Sequence, residues 1–155
     1  MTTQIIISLA FLLVLGFIAL LAFWLRSRAI VNFANEQAIR AIKNWESFKA
    51  KAFSKDRLCD IDEHRLREHL SDLESSLCDR TSRPVFRRLV LTLAVHAAWS
   101  EAYETYRKQT RQVLEHAMQT ATGRRKELLC EVLAKLSVGT FNTVTFIREH
   151  RPIWN

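Results

Sequence analysis

The amino-acid sequence opens with an apolar stretch, Ile5–Leu25, that contains no charged residue and is followed by Arg26. As a helix, its 21 residues reach roughly 31 Å, the thickness of a hydrocarbon core. A cleaved signal peptide has a positively charged start and a shorter apolar stretch, whereas Met-Thr-Thr-Gln is uncharged. The pattern predicts a retained transmembrane helix over 5–25, with a signal peptide or a buried core helix as alternatives.

Positive charges flank this stretch on one side only. No Lys or Arg precedes it, whereas Arg26, Arg28, Arg40 and Lys43 follow it closely. The positive-inside rule therefore predicts a short N-terminus, residues 1–4, outside the cytoplasm and a cytoplasmic remainder. The three widely spaced cysteines agree, because an odd number of free thiols suits a reducing compartment. We expect a single-pass protein of a bacterial inner membrane.

Residues 26–55 are predicted to form a juxtamembrane amphipathic stalk helix that continues the transmembrane helix. Apolar residues recur there at three- and four-residue steps, like the seam of a coiled coil: Val31, Ala34, Ala38, Ala41, Trp45, Phe48 and Ala52. The stripe either packs on the rest of its own domain or forms a seam for a second copy or a partner helix. In the second case the candidate contacts are Val31, Ala38, Trp45 and Phe48.

Residues 56–155 predict a basic helical bundle. Leucines at four- and three-residue steps mark an amphipathic helix over 61–79, and Ser82 with Pro84 marks the next helix start. The segment Val85–Trp99 is apolar nearly all round, so we expect it to be the central helix. The spacing of apolar residues after Trp99 is less regular, and we expect this helix to continue until Gly123 caps its C-terminus.

A further apolar set from Leu128 to Leu136 keeps helical spacing, and we assign a last helix to Thr140–His150. Three glycines and two prolines in 155 residues give too few turn signals for a many-stranded β fold. The predicted fold is all-α: one N-terminal transmembrane helix that continues into a cytoplasmic bundle of about four helices.

The net charge of +7 lies entirely beyond the apolar stretch and would attract an acidic partner, with a solvated charged surface as the alternative. Arginines near a helix start are disfavoured by the helix dipole, by about 0.3–1 kcal/mol each when exposed, which hints at a bound anion. Anionic lipid headgroups are the nearest candidate, ahead of nucleic acid, since no known nucleic-acid-binding motif is present. The candidate binding residues are Arg80, Arg83, Arg87, Arg88, Arg124 and Arg125.

No catalytic, cofactor or metal site is readable from the sequence. Cys59, His64, His69 and Cys78 are metal-ligand types, but the two histidines are about 140° apart around a helix. We expect solvated histidines and buried thiols instead. Glycine-rich phosphate loops and nucleophile turns are missing. His96, in the central helix, is the one candidate proton carrier, and a buried structural histidine is the alternative.

Two functions follow from these features. The first is a membrane-anchored scaffold or assembly subunit of a larger complex, which acts through helix–helix packing and its basic cytoplasmic surface, with protein partners or a homo-oligomer expected. The alternative is a membrane-tethered binding module that uses its arginine clusters to hold nucleic acid or an acidic protein.

Overall fold

The computed structural model describes residues 2–53, 63–99, 104–142, 144, 145 and 148. Within these residues every secondary-structure element is a helix and there is no strand, which confirms the all-α part of the predicted fold. The helices are α1 (Thr2–Phe53), α2 (Glu63–Cys78), α3 (Arg83–Trp99), α4 (Glu104–Thr120) and α5 (Arg124–Ser137).

The first helix is unbroken over 52 residues. It contains no proline, and Gly16 is its only glycine, so nothing in its sequence forces a kink. The part from Ala10 includes a stretch long and apolar enough to cross a membrane, and none of that stretch is buried inside the chain. The predicted anchor and stalk are therefore two halves of one helix.

The C-terminal half of α1 belongs to the core of the bundle. Ala34, Ala38, Ile42 and Trp45 are at most 2% exposed. They recur at three- and four-residue steps, which places them on one helix face. The apolar stripe thus packs on its own domain in this structure, the first of its two predicted arrangements.

Contacts across the helices set their directions. The rings of Phe48 and His69 lie 4.9 Å apart, and the N–H of Ser82 donates to Oδ1 of Asn35 at 2.7 Å. Later residues of α1 thus lie beside the first half of α2, and earlier residues of α1 lie beside its end. The two helices are therefore antiparallel. The turn between α2 and α3 lies level with Asn35.

The last two helices follow the same up-and-down pattern. Cys78 Sγ and Thr120 Oγ1 are 3.7 Å apart, which brings the ends of α2 and α4 together. The Arg125 guanidinium lies 4.6 Å from the ring centroid of Phe86, so α5 starts beside the start of α3. We call the end formed by the turns 79–82 and 121–123, next to Asn35, the Asn35 end of the bundle.

The predicted central helix is confirmed. α3 contacts α1, α2, α4 and α5. Because it has neighbours on every side, its apolar residues are buried around much of its circumference. Its core residues are Phe86, Leu89, Val90, Leu91, Leu93, Ala94 and Ala97.

The second predicted helix, over 61–79, is found at Glu63–Cys78 with Leu66, Leu70, Leu73 and Leu77 buried. The long third helix is wrong: α3 and α4 are separate helices, and residues 100–103 between them lie outside the described residues. Two helices bury more apolar surface than one long rod, because α4 can pack back on α3 and α2.

Two glycines mark the ends of α5. Gly123 has φ 57° just before the helix, and Gly139 has φ 71° just after it. The N–H of Thr140 donates to the carbonyl of Lys135 at 3.1 Å, as in a Schellman motif. Both positions need the left-handed backbone that glycine adopts without strain.

The predicted start of the last helix at Thr140 is wrong. Residues 140–142 are not helical, whereas 144, 145 and 148 are. The side chain of Asn142 accepts hydrogen bonds from the N–H groups of Val144 and Thr145, at 3.0 and 3.1 Å, so Asn142 caps the turn that follows it. The remainder of the predicted segment lies outside the described residues.

A histidine lies in the core. His96 is 4% exposed, and its ring meets that of Trp45 edge-on with centroids 4.7 Å apart. Burial, assisted by the positive charge of Lys49, lowers the pKa of His96 from 6.5 to about 4. The imidazole is therefore neutral at neutral pH, as a histidine that packs in a core must be.

This depressed pKa predicts acid sensitivity. The unfolded chain takes up the proton near pH 6.5 and the folded chain only near pH 4, so the stabilisation is complete above pH 6.5 and is lost as the pH falls towards 4. The free energy of unfolding should fall by roughly 2–3 kcal/mol over that range because of His96 alone. Urea unfolding in one detergent, followed by circular dichroism at several pH values, measures it.

His96→Phe keeps an aromatic ring against Trp45 and removes the titration, so its unfolding free energy should depend less on pH by that amount. Leu91→Met, a conservative change at another buried residue of α3 that adds and removes no titratable group, is the matched control and should leave the pH dependence unchanged. Equal pH slopes for the wild type and His96→Phe would contradict the assignment.

Candidate functional site

A cluster of charged side chains lies at the Asn35 end of the bundle. The two turns and the first residues of the helices that follow them hold five cations and two carboxylates. The cations are Arg80, Arg83, Arg124, Arg125 and Lys126, and the carboxylates are Asp79 and Glu127. Residues far apart in the sequence thus meet in one positively charged surface.

Hydrogen bonds fix the turn between α2 and α3. The N–H of Arg80 donates to Oδ1 of Asp79 at 2.7 Å, and the N–H of Thr81 donates to the Asp79 carbonyl at 2.8 Å. The N–H of Ser82 then donates to the Asn35 side chain. Asp79 is therefore engaged by its own turn, and Asn35 ties that turn to α1.

Arg125 joins the two turns. Its guanidinium donates to the carbonyl of Asp79 at 3.2 Å and to the carbonyl of Thr81, and it stacks over the ring of Phe86. A planar, five-donor group is suited to such a fork, with a cation–π contact on its face. Arg125 is half-buried, so it acts as a clamp inside the chain and offers little to a partner.

The other candidate arginines differ in exposure. Arg80, Arg83 and Arg124 are exposed, whereas Arg87 and Arg88 are half-buried on the second turn of α3. Only the first three therefore present an accessible guanidinium at the Asn35 end, and the nearby Lys126 is exposed beside them.

Two helices begin at this surface. α3 has no acidic residue in its first turn, and no side chain caps α5 at Gly123. The C-terminal ends of α2 and α4 lie at the same turns, so the dipoles of the four helices largely offset one another there. The positive charge of this surface therefore comes from its side chains.

The predicted partner-helix seam lies largely inside the chain. Ala38 and Trp45 are buried in the core, and Phe48 packs against it. Val31 is half-buried near the start of the packed region. These side chains contact α2 and α3 rather than an outside surface, and a role in binding a second helix stays a prediction.

The histidines and cysteines do not converge on one point. Within the described parts of the chain, no three or more His, Cys, Asp or Glu side chains are grouped as metal ligands would be. His69 packs on Phe48 instead of being fully solvated. The prediction of a buried Cys78 thiol is wrong, because Cys78 is the last residue of α2 and is exposed. Cys59 lies outside the described residues.

Two contacts were not predicted from the sequence. His116 pairs with Glu74 across α4 and α2, and Asn35 accepts from the turn before α3. The first has no local signal, because the partners are 42 residues apart. The second contact does have a local signal, because Asn35 is a polar residue beside the apolar stripe of α1. An amide that packing shields from water needs a hydrogen-bond partner.

The clamp role of Arg125 predicts a loss of stability on mutation. Arg125→Ala should lower the free energy of unfolding by about 1–3 kcal/mol, because two charge-assisted hydrogen bonds and the stacking on Phe86 are removed. Arg125→Lys keeps the charge but not the fork and should recover little. Arg124→Ala, at the exposed neighbour, is the matched control and should change it by less than about 0.5 kcal/mol. Urea unfolding measures all three, and equal effects at 124 and 125 would contradict the clamp.

Comparison of the chain with protein-family models, with curated proteins and with solved structures finds no match.

Proposed function

We propose that this protein is a single-pass membrane-anchored scaffold, or an assembly subunit of a larger complex of a bacterial inner membrane. The observation that carries the proposal is the unbroken α1, which is exposed and apolar from Ala10 to Leu25 and part of the bundle core in its second half. One rigid element thus links the proposed membrane segment to a folded domain.

A bilayer is the solvent that suits the first half of α1. Twelve large apolar side chains between Phe11 and Leu25 are each at least 46% exposed. Soluble monomers rarely expose an apolar patch of this size, whereas lipid tails cover it without cost. Helical hydrogen bonding also satisfies the backbone in lipid.

Rigid coupling supports a structural role. Because Ala38, Ile42 and Trp45 are fully packed, the bundle cannot turn on α1 without opening its own core. Its outer surface then moves only together with α1, so its position relative to the bilayer follows that of the helix. A fixed platform of this kind suits helix–helix contacts with other subunits or with a second copy.

The proposed orientation places the bundle in the cytoplasm. Arg26 and Arg28 follow the apolar stretch, and the guanidinium of Arg28 lies 5.1 Å from the ring centroid of Trp24. A tryptophan and arginines at one end of a span are typical of the cytoplasmic interface.

The exposed cations at the Asn35 end favour one alternative, a membrane-tethered module that binds nucleic acid or an acidic protein. Phosphate contacts make binding fall steeply with salt, in proportion to the number of cations involved. A salt series with an oligonucleotide and the reconstituted chain separates the two functions, because the scaffold proposal requires no such binding.

The spanning role predicts that charge in the apolar stretch abolishes insertion. The double variant Leu13→Arg/Ile18→Arg should leave the membrane fraction, since each central arginine costs about 2.5–3.5 kcal/mol on insertion. Carbonate extraction followed by immunoblotting measures it. Phe33→Arg, an exposed position on the same helix beyond the span, is the matched control and should stay in the pellet.

Intact mass of the extracted chain is the companion measurement. A mature form that lacks the first 25 residues would show a signal peptide and overturn the anchor.

The cytoplasmic orientation predicts thiol protection. In intact bacterial cells that produce the Cys59→Ser variant, a membrane-impermeant maleimide should not label the exposed Cys78 and Cys130, and it should label both after permeabilisation. A cysteine introduced at Thr2 should show the opposite pattern. Labelling of the two native thiols in intact cells would reverse the proposed topology.

The scaffold role predicts a stable assembly in native membranes. Blue-native electrophoresis after mild solubilisation should place the chain in a species well above its 18.0 kDa mass, and crosslinking should retain that species. A solitary monomer under those conditions would contradict the proposal.

A further inference from the structure

We infer that the Asn35 end of the bundle docks on the anionic headgroups of the same bilayer that holds α1. This inference rests on the proposed membrane anchor and adds to it a binding surface, Arg80, Arg83, Arg124 and Lys126, with lipid phosphate as its ligand. These four exposed residues are called the basic crown.

The height of the crown above the bilayer follows from α1. Asn35 lies ten residues beyond Leu25, or about 15 Å along the helix axis. The headgroup layer occupies roughly the first 5–7 Å of that distance. The turns beside Asn35 are therefore about 8–10 Å from the headgroups, close to the Debye length of about 8 Å at physiological salt.

The direction of the helices brings the cations to this end. α1 and α3 run away from the proposed membrane and α2 and α4 run towards it, so both turns 79–82 and 121–123 face the bilayer. The crown thus comes from two short stretches, 80–83 and 124–126, that the up-and-down topology collects on one surface. The opposite end of the bundle, around Arg107 and the cavity it lines with Ala97 and Leu136, faces away.

The local charge favours an anion. Of the two carboxylates in the turns and helix starts at this end, Asp79 accepts the backbone N–H of Arg80, and Glu127 is outnumbered by the crown. The carboxylate of Glu36, beside Asn35 on α1, lies 3.9 Å from the guanidinium of Arg40. The like charges of the four crown residues repel one another. A facing layer of phosphate relieves that repulsion.

Two internal contacts hold the crown in place. Asn35 fixes the first turn to α1, and Arg125 fixes the second turn to the first. The cations therefore cannot withdraw from the bilayer by movement of a loop. Ile30 and Phe33 are 43% and 63% exposed on α1 below the crown, which suits apolar side chains in the interfacial layer between lipid and bundle.

Lipid fits this surface better than nucleic acid does. A polynucleotide would have to enter the narrow space between the bundle and the bilayer, where a cytoplasmic leaflet already presents negative charge. Headgroups are present there at high local concentration because α1 tethers the crown beside them.

The test uses the full chain in vesicles. In a Cys59→Ser/Cys130→Ser background, a fluorophore on the exposed Cys78 reports on the Asn35 end. Quenching by a nitroxide on the lipid headgroup is compared between pure phosphatidylcholine and a mixture with about 30% phosphatidylglycerol. Quenching should rise in the anionic vesicles and return to the neutral level at about 0.5 M sodium chloride.

Charge variants identify the surface. Arg80→Gln/Arg83→Gln/Arg124→Gln should lower the docked-to-undocked ratio by up to about fivefold for each cation removed. Arg65→Gln/Arg107→Gln/Lys108→Gln removes the same charge at the opposite end and should change nothing. A label at Val138→Cys, 74% exposed beyond α5, should show little quenching in either lipid.

The outcomes separate this inference from the anchor. Flotation with the vesicles shows whether α1 is inserted, independently of docking. Inserted chain with equal quenching in both lipids, or equal effects of the two triple variants, would overturn the inference alone. A crown variant that loses oligonucleotide binding but keeps its lipid quenching would replace lipid with nucleic acid as the ligand.

Discussion

The structure depends on one constraint: a single helix serves two environments. From Ala10 to Leu25 every residue of α1 is apolar and exposed, whereas Ala38, Ile42 and Trp45 of its second half are part of the bundle core. Because no turn separates the halves, the orientation of the bundle is set by the orientation of the apolar segment. Most of the proposed biology follows from this continuity, since a flexible linker would let the domain face in any direction, and no surface of it would have a fixed relation to a bilayer.

The Asn35 end shows how the rest of the fold uses that constraint. A single amide on α1 receives the turn that starts α3, and Arg125 then locks the start of α5 to the same turn. The chain thereby aligns the beginnings of two helices with one level of α1. The cations at those beginnings are unfavourable for isolated helices, and they become useful only beside negative charge. Packing on α1 thus holds these cations together on one positively charged surface of fixed orientation relative to α1.

Periodicity was enough to predict α2 and α3, because their leucines and apolar residues follow the helix repeat and Ser82 with Pro84 marks a start. It was not enough to separate α3 from α4, since no glycine or proline lies between Trp99 and Glu104. The basic surface was predicted as a set of arginines, but its members differ in role: Arg80, Arg83 and Arg124 are exposed, whereas Arg125 binds backbone carbonyls. The spacing of residues in the sequence cannot show which guanidinium donates to backbone carbonyls 44–46 residues away.

The continuity of α1 in a bilayer is the central claim, and a distance between two spin labels tests it most directly. Labels at Ile18→Cys and Arg40→Cys, both exposed positions on α1, are introduced into a chain whose native cysteines are serine and which is reconstituted in lipid nanodiscs. An unbroken helix predicts one narrow distance distribution centred near 33 Å between the labelled backbone positions. A broad distribution, or a clearly shorter distance, would show a hinge between the apolar segment and the bundle and would contradict the account.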